Sequence, residues 1–154
     1  MRLLPVLLLA ASALSLGACE KQPAPAPKPS ASATPVPPPS ESRDPRIVLV
    51  AWAKAVSLKH WDEAYLYWGD HGAKSGMNLA GFKATWGTLG EPQLEIREGR
   101  SEGAAGSLFY TAPVTLVDGT RRVEGEVTLR KVNDIPGATP EQLRWHIEST
   151  TLKP

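Results

Sequence analysis

The sequence predicts an α+β domain over residues 44–154, and three observations carry that prediction. Apolar residues recur at helical spacing between residues 48 and 86, the period drops to two from Gln93, and Asp118-Gly119 separates two long alternating runs. Helical segments that all precede the strands point to α+β order, since a parallel sheet would alternate the two.

Asp44-Pro45 opens the first helix, because aspartate caps free amides and proline suits the first helical position. Val48, Trp52, Ala55 and Val56 then share a face. After a break at residues 57–59, Trp61, Ala64, Tyr65 and Trp68 form a second stripe at the same spacing. Gly69 and Gly72 bracket an irregular stretch, Asn78 caps a third short helix bearing Phe82 and Trp86, and Gly87 with Gly90-Glu91-Pro92 ends it.

In the strand region, Leu94 and Ile96 alternate against Glu95 and Arg97, and residues 102–106 read as a Gly/Ala loop. Residues 107–117 and 120–132 form the strongest hairpin signal. With Asp118-Gly119 as a two-residue turn, Val117 pairs with Thr120, and counting outwards sets Leu108 opposite Leu129, Tyr110 opposite Val127 and Val114 opposite Val123, three pairs on one apolar face. The other face pairs Thr115 with Arg122, Thr111 with Glu126 and Phe109 with Thr128, and Pro113 there suits a bulge or an unpaired edge. Residues 133–137 form a loop, Thr139-Pro140-Glu141-Gln142 has the form of a capping box, and residues 144–152 make a last strand. That strand sets Trp145 and Ile147 against Arg144, His146 and Glu148. The expected architecture is three N-terminal helices packed on an antiparallel sheet of about four strands.

Composition divides the chain into three. Hydrophobic residues at 42% and charged residues at 21% are ordinary globular values, but all five tryptophans and all three tyrosines follow residue 50. Residues 1–18 are almost wholly apolar and residues 20–42 are rich in Pro, Ala and Ser. The net charge is +1, and loss of Arg2 with a leader leaves Lys+Arg and Asp+Glu equal at 16 each. Without a basic stripe, nucleic acid is excluded as the expected partner.

Met1-Arg2 supplies a positive start, and residues 3–16 form an apolar run too short to span a bilayer comfortably, as in a cleaved export leader. The leader ends in Leu16-Gly17-Ala18-Cys19. This tetrapeptide resembles the bacterial lipobox, which implies a lipoprotein cleaved before Cys19, with a diacylglyceryl thioether on that sulfur and an acylated amino terminus. Cys19 is the only cysteine, so no internal disulfide competes for it. By the same resemblance, Glu20 in place of aspartate favours the outer membrane, facing the periplasm. Residues 19–43 then form the lipidated start and a proline-rich tether, which in polyproline conformation reaches at most about 80 Å.

Within residues 44–152, Ala51-Trp52-Ala53, Trp61-Asp62-Glu63-Ala64 and the run from Gly125 to Gly137 resemble uncharacterised proteobacterial lipoproteins of the NTF2-like, or cystatin-like, fold. The resemblance implies an α+β cone, in which a curved sheet wraps the helices and leaves a pocket. Enzymes of that fold place a carboxylate, tyrosine or histidine inside the cone. Asp70, His71, Tyr65, Tyr67 and Tyr110 are the residues on offer, and none stands in a matching motif.

No phosphate loop, GxSxG elbow, HExxH or paired-cysteine site occurs in the sequence. His60, His71 and His146 lie on separate elements, so each is expected at the solvated surface, with no metal, no cofactor and no catalytic residue. Trp52, Tyr65, Trp68, Phe82, Trp86, Tyr110 and Trp145 are the candidate pocket residues, with a plain core role as the competing reading. The expected function is a membrane-anchored, non-catalytic module for a small apolar ligand or another envelope protein. A small lyase or isomerase using the same pocket, and a purely structural lipoprotein, are the alternatives.

Overall fold

The computed structural model describes residues 39–154; the leader, Cys19 and the tether up to residue 38 lie outside the described residues. Three helices, α1 (Pro45–Ser57), α2 (Trp61–Leu66) and α3 (Leu79–Trp86), precede five strands. The strands are β1 (Pro92–Ile96), β2 (Arg100–Ala104), β3 (Ser107–Asp118), β4 (Arg121–Val132) and β5 (His146–Thr150). They form one open antiparallel sheet in the order β1-β3-β4-β5, with β2 also paired to β3. The helices thus lead the folded part rather than the chain, and the sheet has five strands where about four were expected. Among the described residues no helix is long and apolar enough to cross a membrane.

The helix starts follow their capping residues. Asp44 accepts the Arg46 amide at 2.8 Å, and Asn78 accepts that of Gly81 at 2.8 Å, each satisfying a donor that the first turn leaves without a partner. Helix α1 buries Val48, Leu49, Trp52, Ala53, Ala55 and Val56. Residues before Asp44 also pack on the domain: Pro39–Glu41 is a 3-10 turn, and the Arg43 carbonyl accepts the Trp145 indole N–H at 2.9 Å.

Trp68 does not continue α2, which stops at Leu66. The chain there turns to pair with β5 instead: Ile147 donates its amide to the Tyr67 carbonyl at 2.8 Å, and Gly69 donates to the Ile147 carbonyl at 3.0 Å. Satisfying the backbone of a sheet edge outweighs one more turn of a six-residue helix.

The hairpin has the expected faces and a different turn. Gly119 and Thr120 form the connection, and Asp118 pairs with Arg121, so every partner moves by two residues. Tyr110 lies opposite Leu129, Val114 opposite Gly125, Leu116 opposite Val123 and Leu108 opposite Lys131. On the outer side Thr111 meets Thr128, their hydroxyls 3.0 Å apart, and Phe109 meets Arg130. Asp118 stays in the strand because its carboxylate accepts the amides of Glu91 (2.7 Å) and Gly90 (3.1 Å), which fastens the entry to β1. Those two bonds hold its pKa below the ordinary aspartate value. A shift of two residues preserves which side chains face inward, so Tyr110, Ala112, Val114, Leu116, Val127 and Leu129 are all buried.

Residues 100–104 are strand rather than loop. Ala105 and Gly106, with φ of 45° and 76°, make a two-residue turn of left-handed residues whose twist suits a hairpin into β3. All five residues of β2 are exposed, so no alternation of apolar and polar residues announced it.

Pro113 sits inside β3 opposite Glu126, rather than at a bulge or an outer edge. Its carbonyl accepts the Arg97 amide, so its nitrogen looks toward the gap between the end of β1 and the start of β2, where no ladder needs a donor.

The last strand is shorter than the predicted 144–152, and the capping box before it forms in both directions. Gln142 donates to the Thr139 hydroxyl at 3.3 Å, and its own side chain accepts the Thr139 amide at 3.0 Å.

Candidate functional site

Five of the seven predicted pocket residues meet in one aromatic cluster. Trp52 of α1 is the centre, edge-on to Trp68 (6.4 Å between centroids) and to Trp86 of α3 (5.7 Å). Phe82 stacks on Trp86 at 5.4 Å and meets Tyr65 of α2 at 5.5 Å. Such offset and edge-on contacts add to area burial because ring edges and faces carry opposite partial charge. Tyr110 and Trp145 belong to the same core but make no ring contact with the five. Tyr110 lies on β3 beside the β1–β2 gap, and Trp145 precedes β5 beneath the Lys131 ammonium, 5.3 Å from its ring.

The polar atoms of these residues separate structural roles from available ones. The Tyr65 hydroxyl donates to the Met77 carbonyl at 3.1 Å, the Tyr110 hydroxyl accepts the Gly99 amide at 3.2 Å, and the Trp145 indole is tied to Arg43. The indole nitrogens of Trp52 and Trp68 are buried without a partner. Trp52 is fully enclosed by its neighbours. Trp68, at 4% exposure, also lines a groove of about 260 Å³ whose other walls include Trp86, Met77, Thr85, Thr150 and Leu152. The groove opens between α3 and the chain end that follows β5, with the aromatic cluster as its floor.

Its lining side chains include no carboxylate or imidazole, and that of Lys153 is the one charged side chain among them. The Thr150 hydroxyl is engaged on the Glu126 carbonyl (2.8 Å) and the Leu152 amide (3.1 Å), and the Ser75 hydroxyl on Met77. Trp68 thus lines the groove as a residue, while its unpartnered indole nitrogen lies buried within the cluster.

The residues that could have supported proton transfer do not gather at this groove. His71 is 84% exposed on its side chain and held by Glu141 at 3.1 Å; Asp70 is exposed; Tyr67 faces the opposite side of α2, where burial first and the Glu63 charge second raise its pKa. His60, also exposed, pairs with Glu63 at 3.3 Å. His146 departs from the expectation of a solvated histidine, with 16% side-chain exposure beside Glu148 at 3.6 Å, because Gly69 packs against its ring. Glu148 also takes the Lys74 ammonium at 2.8 Å, and that hydrogen bond, then the carboxylate charge, raises the lysine pKa. Among the described residues no three His, Cys, Asp or Glu side chains are placed to hold a metal ion.

Sequence reasoning missed a second feature. Ile47, Val50 and Leu58 are about half exposed on the outer face of α1 and its C-terminal end. The signal was present as a second apolar set at helical spacing on a helix whose first set already accounts for the core. Set against known proteins, the chain matches no family model, no curated protein and no solved structure.

Proposed function

We propose that this chain is a bacterial lipoprotein, anchored through lipid on Cys19 to the outer membrane and facing the periplasm, whose domain is a non-catalytic binding module. We read the domain as a variant of the NTF2-like cone, a reading supported by the order of three helices before one antiparallel sheet. The binding reading rests on one observation: Trp68 borders the groove and carries a buried indole N–H without a partner, which a ligand would reach by a small shift of the ring. A buried donor without an acceptor costs on the order of 1–3 kcal/mol, and a ligand oxygen placed there would recover part of it. The ligand class that fits is a small, mostly apolar molecule with one hydrogen-bond acceptor.

Two measurements test this function. Cys19→Ser is expected to leave an unprocessed or soluble product, whereas recovery of a mature-length, lipid-bearing mutant from membranes would remove the anchor reading. For the groove, small apolar carbonyl compounds are expected to change tryptophan emission and raise the melting temperature. Trp68→Phe, which keeps a ring and removes the N–H, should weaken that binding about tenfold, the worth of one hydrogen bond. A broad screen that moves neither signal would favour a purely structural envelope lipoprotein.

A further inference from the structure

The outer face of α1 combines two properties that a helix packed on a core does not need. Ile47, Val50, Ala51, Lys54 and Leu58 fall within an arc of about 100° at 3.6 residues per turn, opposite the buried stripe. Ile47 is 48%, Val50 50% and Leu58 53% exposed. Ile47, Val50 and Ala51 line a shallow apolar surface, with Lys54 set among them and Arg46 at its edge. A second depression, sharing Ala51 and Lys54, continues it past Leu58 toward α2.

The charged residues that line the shallow surface of Ile47, Val50 and Ala51 are both cations, with Asp44 at the helix start and Glu63 beyond Leu58 as the nearest carboxylates. Helix α1 contains no acidic residue, and Arg46 and Lys54 take part in no ion pair among the described residues. Four cations elsewhere are paired, Lys74 with Glu148, Lys83 with Asp62, Arg100 with Glu102 and Arg122 with Glu95, so what marks Arg46 and Lys54 is their place beside exposed apolar side chains rather than the lack of a partner alone. One carboxylate, Glu63, borders the second depression, with its Oε2 3.3 Å from the His60 ring nitrogen.

We propose that this face of α1 docks on an anionic phospholipid surface, with Ile47, Val50 and Leu58 entering the headgroup boundary and Arg46 and Lys54 meeting the phosphates. Apolar side chains exposed beside Lys and Arg are the chemistry of helices that lie in the plane of a membrane interface, where a lysine within the apolar stripe extends its ammonium to the phosphates. Each cation near an anionic surface contributes about a fivefold gain in partition, lost with salt. A second copy of the chain fits worse, because a two-fold axis through α1 would bring the same cations together. The proline-rich segment fits worse too, since residues 20–38 carry Lys21 and Lys28 against Glu20 alone. The proposal rests on the lipid-anchor reading for one thing: the anchor holds the domain at a high local concentration of lipid, so that a weak surface is occupied.

The test uses the mature protein purified from membranes, with a polarity-sensitive dye on Val50→Cys. It is reconstituted into phosphatidylcholine vesicles with and without phosphatidylglycerol. The emission is expected to shift to the blue only with phosphatidylglycerol, to revert in high salt, and to be lost in Arg46→Glu/Lys54→Glu, whose fold is checked by its melt. Ile47→Ser, which keeps the charges, should weaken the response as well. The same emission in both lipids, or a shift that follows protein density instead of phosphatidylglycerol, overturns the proposal, the second outcome pointing to a second copy. Intact mass reads the anchor separately. Should Cys19 carry no lipid, the anchor reading fails by itself, and co-sedimentation of the Cys19→Ser chain with phosphatidylglycerol vesicles decides the surface. Pelleting reduced more than about twentyfold by the double charge reversal sustains it, and no pelleting overturns it.

Discussion

Trp52→Ala is expected to lower the stability of the domain by about 3–5 kcal/mol, the range for deleting a fully buried aromatic side chain. Trp52 has no exposure to solvent and sits edge-on to both Trp68 and Trp86, so its removal leaves a void bounded by two rings that cannot both move inward. The loss is a large share of the roughly 5–15 kcal/mol that holds a domain of this size together. Urea titration followed by circular dichroism measures it. Because Trp68 forms the floor of the groove, Trp52→Ala should also abolish ligand-induced changes under conditions where the mutant is still folded. A loss below about 1 kcal/mol would mean that the three tryptophans do not pack as a unit.

Gly72→Ala is expected to cost about 2–4 kcal/mol, from backbone strain and overpacking together. Gly72 has φ of 98°, and it follows Asp70 and His71, which already adopt left-handed φ of 53° and 54°. A methyl group there would land on the Tyr65 ring, which the Met77 carbonyl holds by its hydroxyl. Gly76→Ala is the control. Gly76 also has positive φ, 75°, but an added carbon would meet nothing within 4 Å, so only the backbone cost of about 1 kcal/mol applies. The difference between the two mutants measures the contact with Tyr65. Equal losses would place Tyr65 elsewhere, and with it the wall of the cluster nearest Met77.

Helices α1 and α3 were legible because their capping residues, Asp44 and Asn78, and their apolar stripes agree. The inward set of the β3–β4 hairpin was legible for a related reason: alternation is a property of the chain itself, whatever strand it pairs with. Register was not, since Asp118-Gly119 and Gly119-Thr120 serve equally as two-residue turns with the same inward set. The choice fell to two amides at the start of β1 that need the Asp118 carboxylate. Strand β2 escaped notice because both of its faces are exposed, and it is held by backbone pairing to β3 with exposed ion pairs from Arg100 to Glu102 and Glu126.

The candidate site divides along the same line. Local sequence determined that Trp52, Phe82 and Trp86 point inward from their helices, because spacing along a helix settles direction. Whether inward-pointing rings enclose a pocket or fill it depends on distances between elements, which no local pattern encodes. Only the tertiary structure decided that Trp52 is enclosed while Trp68, released from α2 by its pairing to Ile147, borders an open groove. It also decided that Ile47, Val50 and Leu58 remain uncovered, because α1 has apolar residues on two faces and the sheet has room to bury one.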